Sequence, residues 1–579
     1  MASAMACNCQ RCKFRAKIGV GGVRRYNQRM MGAQRRSVGQ RMVGGALWLL
    51  PLSFLAVFYG WPLAQVFHRS LTGLTVGAVW TALTGATLGQ VVAFTVGQAL
   101  LSTALTVAAG LPVAWLVGRY TFPGRGLFRA LSGVPFVLPT VVVAAAFGAV
   151  LGPQGWLGSW LGDQRYTLTA IVLAHVFYNL TVVVRLVGDF WANLDPQLAA
   201  AARTLGASRA GAFWQVTLPL LAPAVLTAAV FVFVFNFTSF GVVLILGGPR
   251  FATLEVEIYR QTLQLFNLPL AGLLALVQLG LTLALAVVYV GLTGAVSQPV
   301  RRRARAEVQR QLTTLGEQTL ATVIIGGVVL FQVVPLAALA WQSVRTADGF
   351  SLRYYAALWQ DTRQSLFFVP PGVALGRSLW YGLVTAVLSL VLGLPAAAAL
   401  TSTRRGWRTG LEALLMLPLG TSAVTLGLGF VLAFSQPPLN WRASPWLLPL
   451  AHTLVAFPFV VRSLLPALRS IQPQMRQAAA VLGANPWQVW VVVDLPLVGR
   501  AALVAAAFAF TLSLGEFGAT ALLARPDLPT APTAIYRYLG QPGAINYGQA
   551  LALSTLLMAT CAGVIVTIEN LRVGELSEF

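Results

Sequence analysis

The sequence has 579 residues, of which 57% are hydrophobic and only 10% are charged. Soluble domains carry about 25% charged residues, so this composition excludes a chain of soluble domains. The formal net charge of +24 does not indicate a nucleic-acid partner, because the basic residues cluster in particular loops, as they do in membrane proteins. Ten-residue alternating strands are absent, and the sequence therefore predicts an all-α polytopic membrane protein.

Residues 1–42 are basic and polar and predict a disordered cytoplasmic tail. This segment is unlike a secretory signal, because its basic region is long and no cleavage site follows a short apolar core. It contains Cys7, Cys9 and Cys12. A structural zinc site needs four ligands and no second ligand pair accompanies these cysteines, so we expect a flexible tail and no metal site.

Apolar runs bounded by turn residues predict about twelve transmembrane helices. They lie near residues 43–67, 93–118, 130–151, 167–192, 222–247, 270–293, 319–343, 376–401, 411–434, 446–469, 501–524 and 548–568. With the N-terminus in the cytoplasm, 28 Lys and Arg residues fall inside and 11 outside. The positive-inside rule favours this orientation, which predicts a multi-pass protein of the cell membrane.

An internal repeat divides the predicted helices into two sets of six. Residues 173–221 align with residues 450–498 at a constant offset of 277, and 17 of the 49 positions are identical. Because each half has six spans, both halves have the same orientation and are related by an axis along the membrane normal. We therefore predict a first half at 43–293, a cytoplasmic linker at 294–318 and a second half at 319–579.

The repeat contains a short element that cannot span a membrane. In the first copy Asp195 is a suitable N-cap, Pro196 is at the first helical position and Gly206 can end the helix in a left-handed conformation. A second short helix is predicted to begin after Ser208 and to stop before Pro219. Lipid-bound amphipathic helices usually carry more basic residues, so two such copies favour a docking surface for a two-fold partner.

These residues resemble the cytoplasmic "EAA" signature of binding-protein-dependent ABC importer permeases. The signature is Glu-Ala-Ala, then Gly four residues on, then an aliphatic residue and Leu-Pro. Both copies keep this spacing but lack the leading Glu, which is Ala200 or Gln477 here. The matching docking residues are Ala200, Ala201, Ala202, Gly206, Leu218, Pro219, Gln477, Ala478, Ala479, Gly483, Leu495 and Pro496. Stretches such as "LAHVFYNLTVVVRL" resemble the fused permeases of the thiamine and iron(III) branch.

The resemblance implies a type I importer fold with two homologous permease halves and a non-catalytic role in transport. It implies two copies of a cytoplasmic ATPase on the two loops, and an extracytoplasmic binding protein that delivers thiamine or iron(III). A P-loop needs a lysine, and the only lysines are Lys13 and Lys17 in the tail. This chain therefore cannot carry the ATPase motif, and ATP would be used by a separate polypeptide.

Three polar residues in apolar spans are candidates for the translocation path: Asn236, Ser239 and Glu516. Glu516 is an acidic residue deep in a predicted span, and such residues usually face a cavity or a partner. A hydrogen bond to a helix break at Gly515 or Gly518 is an equally good explanation. His175 and His452 are equivalent in the repeat and are expected to make packing hydrogen bonds.

Two other classes of protein remain as alternatives. An ion-driven secondary transporter also commonly has twelve helices, but it would show more charged groups inside its spans and gives no reason for duplicated docking loops. An ABC permease for molybdate- or sulfate-type anions fits the segment "LSLGEFGATALL" as well as a cation permease does. Clustered residues for a membrane enzyme are absent from the sequence.

Overall fold

The computed structural model describes residues 38–72, 75, 77, 80, 85–294, 309–360, 369–403, 405–435, 437 and 440–576. Most of the predicted tail, with Cys7, Cys9 and Cys12, lies outside the described residues, as do linker residues 295–308. The described residues form a helical fold with four strands of two residues each. The first of the described helices begins at Val38, within the segment predicted to be a disordered tail.

The predicted first half contains fourteen described helices. They are α1 (Val38–Leu55), α2 (Trp61–Thr72), α3 (Ala86–Arg119), α4 (Arg125–Leu131), α5 (Val134–Val137), α6 (Thr140–Leu151), α7 (Gly158–Leu161), α8 (Leu168–Trp191), α9 (Pro196–Thr204), α10 (Arg209–Ala212), α11 (Leu218–Phe237), α12 (Gly241–Leu246), α13 (Leu254–Leu263) and α14 (Leu268–Gly294). Two π-helical segments, Ala56–Gly60 and Phe213–Thr217, join α1 to α2 and α10 to α11 without a break.

The described part of the remaining chain follows the same order. Its helices are α15 (Leu315–Val344), α16 (Arg353–Ala357), α17 (Pro371–Ser402), α18 (Arg405–Met416), α19 (Ala423–Phe434), α20 (Leu447–Ser470), α21 (Pro473–Val481), α22 (Pro486–Val489), α23 (Leu495–Gly515), α24 (Gly518–Leu523), α25 (Ala531–Leu539) and α26 (Ala544–Leu576). A 3-10 turn, Leu417–Gly420, separates α18 from α19, and a π-helical segment, Trp490–Asp494, joins α22 to α23.

Ten helices among the described residues are long and apolar enough to span a membrane, or twelve if each of two bent pairs forms one span. The bent pairs correspond to the predicted spans 130–151 and 411–434, which are therefore not straight helices. Their two parts meet at 101° and 91°. Pro139 lies at the first bend and cannot donate a backbone hydrogen bond, whereas Ser422 at the second bend caps α19 through the N–H groups of Val424 and Thr425.

The first spanning helix of each half packs against the opposite half. α1 packs on α17, and α2 packs on α19 as well as on its own α14. In return α15 packs against α6, although it also contacts α26 of its own half. This exchange buries apolar side chains of both halves in one continuous core, so the two six-helix sets are not separate packing units.

Glycines allow the helices of each half to approach closely. A Cβ atom on Gly110 would lie 2.6 Å from Val183, and one on Gly393 would lie 2.7 Å from Val460. These pairs join α3 to α8 and α17 to α20. Small residues at helix contacts let backbones come together in a membrane protein, and these two glycines are such packing sites.

The chain before α15 is fixed to the end of α3. Strand β1 (Tyr120–Thr121) pairs in parallel with strand β2 (Arg310–Gln311). The Arg310 guanidinium donates to Glu317 at 2.6 Å and lies over the Tyr120 ring, 4.9 Å from its centroid. The short antiparallel pair β3 (Arg345–Thr346) and β4 (Gly349–Phe350) follows α15 at its other end.

Candidate functional site

The first repeated loop forms a capped helix with an exposed surface. The Asp195 carboxylate accepts a hydrogen bond from the N–H of Gln197 at 2.9 Å, which starts α9. Gly206 has φ +94°, and the next N–H, that of Ala207, donates to the carbonyl of Ala202 at 3.0 Å. This is the left-handed helix ending that favours glycine.

The second repeated loop ends in the same way. Gly483 has φ +90°, and Ala484 donates to the carbonyl of Ala479 at 3.0 Å. Its start differs, because the side chain of Gln472 makes no cap hydrogen bond in the described structure of α21. The structure therefore supports the predicted backbone of both loops, including the glycines at their ends.

Both predicted second helices continue into a membrane span. Ser208 caps α10 through the N–H of Gly211, and Asn485 caps α22 in a capping box with Gln488. The prediction that the helix stops before Pro219 is wrong, because α10 runs through a π-helical segment into α11. The wider π turn ends just before Pro219, where the ring and the missing N–H are tolerated.

The two loops expose apolar side chains at their ends. Leu205 lies between the end of α9 and Gly206, and Leu482 lies between the end of α21 and Gly483. Their side chains are 89% and 88% exposed. α9 and α21 themselves contain no buried residue. Of the predicted docking residues, Ala202, Leu218 and Ala479 are half-buried and the other nine are exposed. Exposed apolar groups on two equivalent elements are typical of a protein interaction surface.

An ion pair braces the second loop through two residues that the first loop lacks. The Arg476 Nε on α21 donates to the Asp494 carboxylate at 2.7 Å, and Asp494 is buried. The repeat-equivalent residues in the first loop are Ala199 and Thr217, which cannot form this pair. The two loops therefore have matching backbones but different attachments to the spans behind them.

The predicted polar residues of the spans lie at the breaks that follow α11 and α23. His175 Nε2 lies 2.8 Å from Ser239 Oγ, and its other ring nitrogen lies 3.1 Å from Ser102 Oγ. Asn236 is buried, and its side-chain oxygen accepts from Asn179 at 2.8 Å. The contacts of His175 are the packing hydrogen bonds expected for it, and the path candidate Asn236 also bonds a neighbouring helix.

Glu516 occupies the position equivalent to Ser239 and has several donors around it. Its carboxylate accepts from the N–H groups of Ala519 and Thr520, both at 3.0 Å, and from the Thr520 hydroxyl at 2.7 Å. His452 Nε2 lies 3.5 Å from the same carboxylate. The Glu516 side chain thus closes the helix break before α24, which is the structural alternative considered for this residue.

Four aromatic rings meet between the two halves just beyond these breaks. Phe240 stacks on Phe517 with centroids 5.4 Å apart, and Tyr259 meets Tyr536 edge-on at 6.5 Å. Each phenylalanine also contacts the tyrosine of its own half. Phe517 and Tyr536 are the repeat equivalents of Phe240 and Tyr259 at the offset of 277, so the aromatic quartet joins matching positions of the two repeats.

The sequence interpretation missed another buried acid, Glu255 on α13. Its carboxylate accepts from Gln278 Nε2 at 3.1 Å and from the hydroxyl of Ser422 in the other half. The charged side chains of Glu257 and Arg260 hide this buried face from a count of apolar residues along the chain. One signal was available: Glu255 shares a helix face with the apolar Ile258 and with Tyr259.

Comparison with known proteins connects this geometry to a family. Residues 110–302 match the family described as binding-protein-dependent transport system inner membrane component, a range that includes α9. The thiamine transport system permease protein ThiP of Brucella abortus (strain 2308) is 28% identical over 487 residues, which cover 82% of this chain and 86% of that protein. The protein of the same name from Escherichia coli (strain K12) is 28% identical over 498 residues, or 84% of this chain and 89% of that protein.

These matches, which extend over most of the chain, support a permease subunit of an ABC importer. The protein named ThiP from Haemophilus influenzae, 27% identical over 542 residues and 88% of this chain, extends the match further along the sequence. As a binding-protein-dependent permease, the chain is a multi-pass membrane protein that works with a substrate-binding protein and an ATPase. The type I importer fold and the transport role agree with the expectation from the repeated loops.

Proposed function

We propose that this permease forms the substrate path of a thiamine importer. The observation that carries the proposal is that the relatives named above match most of this chain and are named thiamine transport permeases. The two closed helix breaks with the aromatic quartet between them supply a barrier on the axis of the path. We assign Asn236, Ser239 and Glu516 to the wall of that path, where they hold the helix breaks in place.

The two loops are proposed to dock on a homodimeric ATPase. Their backbones match, with a glycine of φ +94° and +90° at equivalent positions, and a pair of equal surfaces suits two copies of one partner. The exposed Leu205 and Leu482 would enter the partner's clefts. This chain would bind no cofactor, and ATP bound between the ATPase subunits would close them and move both loops.

The orientation and the division of the chain belong to the same proposal. The excess of Lys and Arg on one side supports a cytoplasmic N-terminus, and both docking loops then face the cytoplasm. Residues 43–293 and 319–579 would act as the two moving halves, joined by the linker at 294–318. Because α1, α2 and α15 pack against the opposite half, each of these helices would move together with that half.

Reconstitution tests the transport assignment. The chain is placed in proteoliposomes with its ATPase and binding protein, and uptake of labelled thiamine is measured with and without ATP. We expect ATP-dependent uptake that excess molybdate or sulfate does not reduce. Uptake that persists without the ATPase would support the ion-driven transporter instead, and competition by the anions would support an anion permease.

Substitution of the two loop glycines tests docking. In Gly206→Val and Gly483→Val a β-branched residue is forced into a positive φ, so we expect the double variant to lose assembly with the ATPase at least tenfold. Gly206→Asn and Gly483→Asn should retain most of it, since asparagine tolerates this conformation. Gly410→Val, within the exposed part of α18, is the matched control. Normal assembly of the double valine variant would contradict docking at these loops.

A further inference from the structure

Glu255 is buried at the contact between the two halves, although an ionisable side chain is costly in that position. It is 1% exposed and lies on α13, which packs against α19 of the other half. The Ser422 hydroxyl that donates to it also accepts the first N–H groups of α19. One hydroxyl therefore joins the carboxylate of one half to a helix bend of the other.

Two polar side-chain atoms close to the contact between Glu255 and Ser422 lack hydrogen-bond partners among the described residues. The side-chain amide of Gln278 donates a hydrogen bond to Glu255. The buried Oε1 of Gln278 has no hydrogen-bond partner among the described residues. The hydroxyl of Thr425, in the first turn of α19, is also buried and unpartnered within the described structure. Buried polar atoms normally have partners, so the unpaired amide oxygen of Gln278 beside this carboxylate indicates a site that lacks a positive or donating group.

Aromatic rings continue the same surface. Tyr259 lies one turn after Glu255 on the same face of α13 and belongs to the aromatic quartet. A carboxylate next to aromatic faces is the combination that attracts an organic cation, by charge and by cation–π interaction. In the closed arrangement of this structure the other half covers both Glu255 and the rings.

We propose that Glu255 and the aromatic quartet form a recognition site for an aromatic cation, which becomes accessible when the two halves separate. The inference rests on the proposed thiamine transport and names the part of thiamine that is recognised, its positively charged thiazolium ring. Separation breaks the bond from Ser422 and parts the stacked rings, so the carboxylate and the aromatic faces are uncovered together. The repeat equivalent of Glu255 is Pro532, so the site is one-sided and takes one cation at a time.

Two arginines next to the aromatic quartet carry positive charge, which Glu255 would have to offset for a cation to bind. Arg260 and Arg537 follow the two tyrosines of the quartet, and their charge opposes a cation. Arg260 is held by a hydrogen bond from its guanidinium to the carbonyl of Gly248 at 3.0 Å. Glu255 is the carboxylate placed to offset this repulsion, and its removal should leave a site that repels the thiazolium ring.

The test compares thiamine with a neutral thiophene analogue of the same shape in reconstituted importer. Glu255→Gln keeps hydrogen-bonding atoms for Ser422 and Gln278 but removes the charge. We expect thiamine uptake to fall about tenfold, while uptake of the neutral analogue stays at the wild-type level. Glu255→Asp, which keeps the charge, should restore part of the thiamine uptake.

Glu257→Gln is the matched control, because Glu257 lies on the same helix and bonds Gln261 of its own half at 2.7 Å. It should leave the uptake of both compounds unchanged. An equal loss of both compounds in Glu255→Gln would assign this residue to packing and overturn the inference, and so would unchanged thiamine uptake. Absence of thiamine uptake by the wild-type importer would instead refute the proposed function, so the two failures are distinguishable.

Discussion

The two halves have equivalent backbones at their helix breaks, but the side chains at these breaks have different roles. After α11, Ser239 contributes a neutral hydroxyl to His175 and leaves the carboxylate of Glu255 to bridge the halves. After α23, the Glu516 carboxylate accepts hydrogen bonds from N–H groups of its own half. Glu516 therefore stabilises its own half, whereas Glu255 joins the halves. A repeated fold can thus keep its shape while its two copies divide structural and recognition roles.

The largest difference between the halves is expected at Glu516. Glu516→Ala leaves two buried N–H groups and a hydroxyl without their acceptor, which should lower the free energy of unfolding by about 3 kcal/mol. Ser239→Ala removes one hydroxyl contact and should cost about 1 kcal/mol. Unfolding midpoints of the purified variants in detergent measure both effects. Similar costs at the two positions would show that the breaks are stabilised equally.

A smaller difference is expected at the cytoplasmic loops. Arg476→Ala leaves the buried carboxylate of Asp494 without its guanidinium, which should weaken the attachment of α21 by about 1 kcal/mol. Hydrogen exchange at α21 should then rise toward the rate of α9. The double change Ala199→Arg with Thr217→Asp builds the same pair into the first loop and should slow exchange at α9. Unchanged exchange in both variants would mean that the ion pair does not hold the loop.

Apolar periodicity and the repeat predicted much of this fold. The runs that bury a helix in lipid are long enough to be counted from the sequence, and Gly206 and Gly483 marked helix ends because a positive φ favours glycine. The bend at Ser422 escaped prediction, since both sides of it are equally apolar. The exchange of α1 and α15 between halves also escaped, because it depends on packing between distant segments.

Glu255 shows the limit of counting charges along the chain. Its neighbours Glu257 and Arg260 are polar, and a local average therefore describes the segment as a surface helix. Only the tertiary contacts with Gln278 and Ser422 reveal that one face of α13 is buried between the halves. Glu516, within an apolar run, was identified at once. The role of a buried acidic residue in this fold depends on which half supplies the hydrogen-bond donors to its carboxylate.

The smallest expected effect lies at the start of the two docking helices. Asp195 caps α9, whereas the equivalent Gln472 makes no cap bond within the described α21. Gln472→Asp should stabilise α21 by about 0.5–1 kcal/mol, because a carboxylate there satisfies an N–H group and faces the positive end of the helix. Asp195→Ala should cost α9 a similar amount. Local exchange rates of the two helices test this pair, and a gain in α21 without a change in ATPase affinity would show that docking uses helices that are already formed. A gain in affinity would show instead that α21 is ordered by its partner, and the two loops would then bind one ATPase by different routes.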